Sequence, residues 1–134
     1  MIKSLPIALS LGLMPVVLLA APTPPITLNP AQETALHCSA VFAVVADEQV
    51  RSVAESLVLT PLTKRGREYF VITSARLMEA TGMTRQDLTA RARAHVGLVR
   101  AALVADSDRA AARRKQLTPC LPLLDAEVPE RAKR

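Results

Sequence analysis

The sequence predicts an all-α fold: a small bundle of three to four helices with a proline-containing C-terminal strap held by one disulfide. Three observations lead there. Apolar residues recur at helical spacing through most of the chain, each stretch opens on a capping residue, and no alternating strand pattern of any length occurs. The length, 134 residues, suits one domain. The cysteines number two, Cys38 and Cys120, so an intrachain bond has one possible connectivity.

The N-terminal residues come first because their apolar content does not belong to the core. Met1 to Lys3 are short and weakly basic, and Leu5 to Ala21 form an apolar run broken by Pro6, Ser10, Gly12 and Pro15. Small residues at Ala20 and Ala21 end it, followed by Pro22, Pro24 and Pro25. These are the parts of a secretory signal peptide, with cleavage expected near Ala20 or Ala21. An uncleaved membrane anchor is the competing reading, weakened by the run's shortness and its two prolines. The expected organisation is a signal peptide over 1–21, a proline-rich lead-in over 22–29, a helical domain over 30–125 and a charged flexible tail over 126–134. Export makes a disulfide the natural state of Cys38 and Cys120, two separate thiols being the alternative. Closing a loop of about 80 residues contributes at most roughly 4–5 kcal/mol in the chain-entropy picture.

Asn29-Pro30 opens the first helix, with asparagine at the N-cap and proline in the first turn. Steps of 100° place Cys38, Phe42, Val45, Gln49 and Val53 on one inner stripe, flanked by Val41 and Ala46. His37, Glu48 and Glu55 fall on the opposite side, and the helix is expected to reach about residue 57. Thr60-Pro61 repeats the opening for a second helix, whose inner stripe is Leu62, Gly66, Tyr69, Phe70, Thr73, Leu77 and Ala80 and whose stop is Gly82. Val71 and Met78 share a second face that suits another helix or a dimer partner. The third helix starts at Thr84, with Asp87 completing a near capping box and Met83 and Leu88 placed as a hydrophobic staple. Its stripe is Leu88, Ala92, His95, Val96, Val99, Ala102 and Leu103, with Arg93 and Arg100 on a solvent-facing edge. Asp106-Ser107-Asp108 breaks the pattern and starts a fourth helix over about 108–116. Thr118 to Leu124 contains two prolines and reads as an apolar, non-helical strap.

Reactive groups do not converge in this sequence. His37 adjoins Cys38, but neighbouring helical residues point about 100° apart and a disulfide would consume the sulfur. His95 reads as a core histidine with one hydrogen-bond partner. No H-E-x-x-H, G-x-S-x-G or phosphate-cradling glycine loop is present, so no catalytic residue, metal ligand or cofactor is assigned. The basic excess is mild: 17 basic against 12 acidic side chains, a net of +5, which removal of Lys3 with the leader reduces to +4. Two basic clusters are candidate contacts for an envelope protein or an anionic envelope surface: Lys64, Arg65 and Arg67, and Arg109, Arg113, Arg114 and Lys115. A solvated basic surface is the competing reading. Nucleic acid is not expected, since export removes the usual target and stacking aromatics are missing. A membrane is expected only through an uncleaved signal segment.

Four stretches carry a resemblance: Cys38-Ser39-Ala40-Val41-Phe42-Ala43-Val44-Val45-Ala46-Asp47-Glu48-Gln49, then Arg65-Gly66-Arg67-Glu68-Tyr69-Phe70-Val71, Thr84-Arg85-Gln86-Asp87-Leu88, and Pro119-Cys120-Leu121-Pro122-Leu123-Leu124-Asp125. In that order they resemble an uncharacterised group of small, exported, all-helical alphaproteobacterial proteins with one cysteine pair. The likeness spans about residues 33–125 and implies fold, export and the cysteine pair, but no activity. The leading expectation is a non-enzymatic periplasmic binding or interaction protein. One alternative is an acid-stress chaperone of the HdeA type, to which the two-cysteine plan is similar although the motifs do not match position by position. Another is an inhibitor or immunity partner of an envelope enzyme.

Overall fold

A computed structural model describes residues 24–131, and the signal-peptide reading for 1–21 lies outside them, as do 22–23 and 132–134. Among the described residues the chain forms helices α1 (Pro30–Val50), α2 (Ala54–Leu57), α3 (Arg65–Thr81), α4 (Arg85–Ala105) and α5 (Arg109–Leu117), a 3₁₀ turn (Thr118–Cys120) and α6 (Leu121–Glu127). There are no strands among them, and no helix is long and apolar enough to cross a membrane. The fold is all-α, with one disulfide joining Cys38 to Cys120.

Helix α1 begins where the local chemistry demands. The Asn29 side chain accepts from the Gln32 N–H at 2.9 Å, and the Gln32 side chain accepts from the Asn29 N–H at 2.9 Å. Two of the four donors orphaned at a helix start are thus satisfied, and Pro30 has no N–H to lose. This helix is the axis of the molecule. Every residue from Cys38 to Phe42 is buried, so α1 is covered on several sides at once rather than along one stripe. Helix α3 runs antiparallel to it, with Gly66 and Tyr69 beside Phe42. Helix α4 runs parallel on another side, His95 next to His37 and Arg100 next to Asp47. Helix α5 closes a third side through Glu48 and Arg113, while α3 and α4 hardly meet.

The end of α1 differs from the expected position near residue 57. Ser52 takes a positive φ of 59°, and the Val53 N–H turns back to the Glu48 carbonyl at 2.9 Å, which breaks the helix. The Gln49 amide then organises the following loop. Its Nε2 donates to the carbonyls of Ser56 at 3.1 Å and Thr60 at 2.9 Å, and its Oε1 accepts from the Leu62 N–H at 3.0 Å. Thr60-Pro61 is therefore held as loop and α3 opens later, at Arg65. Its far end is the expected one: Gly82 has φ 70° and donates its N–H to Met78. Of the α3 stripe, Phe70 and Ala80 are exposed.

Helix α4 has the capping box read from Thr84 and Asp87, with Met83 and Leu88 both buried beneath it. Helix α5 is capped by Asp108, whose carboxylate accepts from the Ala111 N–H at 2.9 Å. The strap beyond it is not the irregular segment expected. Pro119 and Pro122 each sit in the first turn of a new short helix, where the missing N–H costs nothing and the fixed φ is already helical. The segment expected as a flexible tail over 126–134 is ordered at its start. α6 extends to Glu127, Val128 is only 5% exposed, and its carbonyl accepts from Arg65 Nε at 2.9 Å and Nη2 at 2.7 Å. Two apolar clusters result. The larger surrounds α1, with Phe42 and Tyr69 edge to face at 5.0 Å, and the smaller gathers Leu28, Leu36, Leu77, Met83 and Leu88.

Candidate functional site

The basic residues singled out in the sequence part company in the fold. Arg65 is largely buried and pairs with Asp125 and Glu130 besides holding Val128, so it fastens the C-terminal segment. Arg113 is 4% exposed and Arg109 faces Glu55 at 3.5 Å. Lys64, Arg67, Arg114 and Lys115 are exposed, and none of them has an ion-pair partner among the described residues. The two sequence clusters are therefore not two surface patches.

Arg113 belongs to a buried network that the sequence reading placed on the wrong side of α1. Its guanidinium forks onto Glu48, Nε to Oε2 at 2.8 Å and Nη2 to Oε1 at 2.7 Å, and Nη1 donates to the Arg109 carbonyl at 2.7 Å. The Ser56 hydroxyl donates to Glu48, and Arg113 Nε reaches its oxygen at 3.2 Å. Burial alone would raise the Glu48 pKa; the hydrogen bonds from Arg113 and Ser56 and the Arg113 charge outweigh it and hold the carboxyl below its ordinary value. The bond to Glu48 likewise raises Arg113 above its ordinary value. A signal for this was present. Glu48 lies seven residues after Val41, which places it on the same helical stripe as Val41 and Val45.

The network floors a cleft of about 500 Å³ between α1, α4 and the start of α5. Arg51, Arg100, Val104, Ser107 and Arg109 form its walls and rim. The arginines are held to different degrees. Arg51 Nε is 3.0 Å and Nη2 2.9 Å from Asp47 on its own helix, whereas Arg100 reaches Asp47 only at 3.8 Å and Arg109 reaches Glu55 at 3.5 Å. Contacts of that length between exposed side chains are weak and exchangeable. Val104, 86% exposed, adds an apolar contact on the rim. The cleft thus presents a rigid, charge-neutral base and two cationic arms free to change partner. Ser56 cannot serve there as a nucleophile, because its hydroxyl is fully buried and donates to a carboxylate that Arg113 keeps ionised.

The histidines form a second constellation. His37 and His95 lie with ring centroids 5.8 Å apart on the parallel helices α1 and α4. His95 Nε2 is 3.1 Å from Glu33 Oε2, while its Nδ1 is buried without a partner. Cys38 carries no thiolate, its sulfur being bonded to Cys120. Among the described residues, no group of three or more His, Cys, Asp or Glu side chains is placed to hold a metal ion.

Fold and site together define a disulfide-closed, all-α domain in which α1 is sheathed by the other helices and one cleft carries exchangeable arginines. Compared with protein-family models, curated proteins and solved structures, the chain matches none.

Proposed function

We propose that this is an exported, non-enzymatic interaction protein whose cleft between α1, α4 and α5 receives carboxylate side chains of a partner protein. The observation that carries the reading is the contrast within the cleft. Arg113 and Glu48 are fixed, whereas Arg100 and Arg109 make only long contacts with Asp47 and Glu55 and lose little by turning to a partner's carboxylate. Export is supported by the leader-like pattern of residues 1–21 and by the Cys38–Cys120 bond, which persists in oxidising compartments.

The test uses a fluorescein-labelled poly-glutamate peptide, read by polarisation at low and moderate salt. Binding should weaken about tenfold, near 1.4 kcal/mol, in an Arg100→Ala/Arg109→Ala variant and change little in Arg114→Ala/Lys115→Ala. It should also fall with ionic strength, as exposed charge contacts do. Peptide affinity unaffected by the first pair of changes, or binding to anionic phospholipid vesicles without binding to the peptide, overturns the reading.

A further inference from the structure

The seam between α1 and α4 contains ionisable groups that the cleft does not use. From α1 come Glu33 and His37; from α4 come Arg91 and His95; α5 brings the uncharged Gln116 close to His37. With both imidazoles neutral, Glu33 and Arg91 balance each other across 3.9 Å. His95 then donates from Nε2 to Glu33, leaving a bare lone pair on its buried Nδ1. Protonation of both rings changes this arrangement at two points. It puts an N–H on Nδ1 where no described residue offers an acceptor, and it places two like charges 5.8 Å apart with one carboxylate to share between them and Arg91.

The surroundings decide what gives way. His37 adjoins Cys38, whose sulfur is bonded to Cys120, so α1 cannot leave the C-terminal helices. Nothing covalent holds α4, which packs on α1 and hardly on α3. The N-terminal half of α4 also fixes the lead-in, because Arg91 donates to the Ile26 carbonyl. Beneath that half lies the smaller apolar cluster of Leu28, Leu36, Leu77, Met83 and Leu88.

We propose that His37, His95 and Glu33 form an acid latch: when both imidazoles carry a proton, the N-terminal half of α4 releases α1 and uncovers Leu36, Met83 and Leu88, while the Cys38–Cys120 bond retains the rest of the bundle. The inference is independent of the binding role of the cleft. The direction of the His37 shift agrees with it. Burial first, and His95 second, lower its pKa from 6.5 against the opposing effect of Gln116, so the folded protein binds fewer protons there than the unfolded chain. The stability this residue contributes is complete above about pH 6.5 and is lost as the pH falls below it towards the folded-state pKa.

Amide hydrogen exchange of the oxidised protein at pH 7.5 and 5.0, corrected for intrinsic rates, tests the latch. Protection over residues 85–97 should fall at least tenfold at pH 5.0, protection over 38–48 should persist, and the midpoint should coincide with the imidazole titration followed by NMR. A His37→Gln/His95→Gln variant should keep its protection at pH 5.0; if that variant does not fold, His95→Gln alone serves, since it removes the buried Nδ1 and leaves His37 without a second imidazole. The proposal is overturned by protection that stays within threefold in the wild type, by loss spread evenly over all helices, by a midpoint apart from the imidazole titration, or by an equal loss in the folded variant.

Discussion

Arg113 and Glu48 illustrate how far a single residue's role depends on what surrounds it. A bidentate pair taken out of water gains strong hydrogen bonds but must repay the desolvation of two charges, so the pair as a whole need not stabilise. Breaking it is another matter. In Arg113→Met the Glu48 carboxylate keeps only the Ser56 hydroxyl in a site that is 8% exposed. Such a change is expected to cost about 3–5 kcal/mol by urea denaturation at pH 7. Arg113→Met/Glu48→Leu removes both charges and should recover most of that loss. A single change costing under about 1 kcal/mol would show that Glu48 finds water or another donor. Because the Glu48 pKa lies below its ordinary 4.5, the pair contributes above that pH and its contribution drains away as the pH falls through the folded-state value. The pair therefore weakens under stronger acid than His37, whose contribution fades below about pH 6.5.

At the scale of an element, two helical glycines make opposite predictions. Gly97 lies in α4 with open space around the position of a Cβ, so Gly97→Ala should stabilise by about 0.5–1 kcal/mol through helix propensity. Gly66 lies in α3 where a Cβ would stand 3.1 Å from the Cβ of Phe42, backbone-anchored and unable to swing aside. Gly66→Ala should therefore destabilise by about 1–3 kcal/mol despite the same gain in propensity. Thermal melts of both variants check this, and equal signs would mean that α3 shifts freely over α1. The elements themselves were legible wherever their signals are local. Asn29-Pro30, Thr84 with Asp87, Asp108 and Gly82 all cap as read, because a cap is decided within a few residues of chain. Where a distant side chain decides, reading failed. Gln49 holds Leu62, in the loop before α3, from 13 residues away, and Arg65 orders the C-terminal segment from 63 away. Glu48 falls opposite the inner stripe when one stripe is read, but a helix buried on several sides has no polar face, so a one-stripe reading must misplace something. The cleft was half visible: Arg109 and Arg113 came from one run, but Arg51 and Arg100 join them only through the packing of α1 against α4.

For the whole molecule the question is what keeps the C-terminal third on the axis. Non-covalent ties are available: Arg113 to Glu48, Arg65 to Val128, and Arg76 to Glu127. Only the first and second involve buried groups; the Arg76–Glu127 pair is exposed and contributes little. The Cys38–Cys120 bond closes a sequence separation of 82 residues, for which chain entropy gives about 4–5 kcal/mol as an upper value. That is a large share of the roughly 5–15 kcal/mol available to a small domain. Cys38→Ser/Cys120→Ser, or the native chain under reductant, should melt up to roughly 16–20 °C below the oxidised protein, taking about 4 °C per kcal/mol at this size. The loss should be larger at pH 5.0 than at pH 7.5, because the disulfide then holds α1 in place while the neighbouring imidazoles repel each other. A fall of a few degrees, equal at both pH values, would mean that the buried arginines alone retain the C-terminal helices and that the disulfide does not restrain the histidine seam.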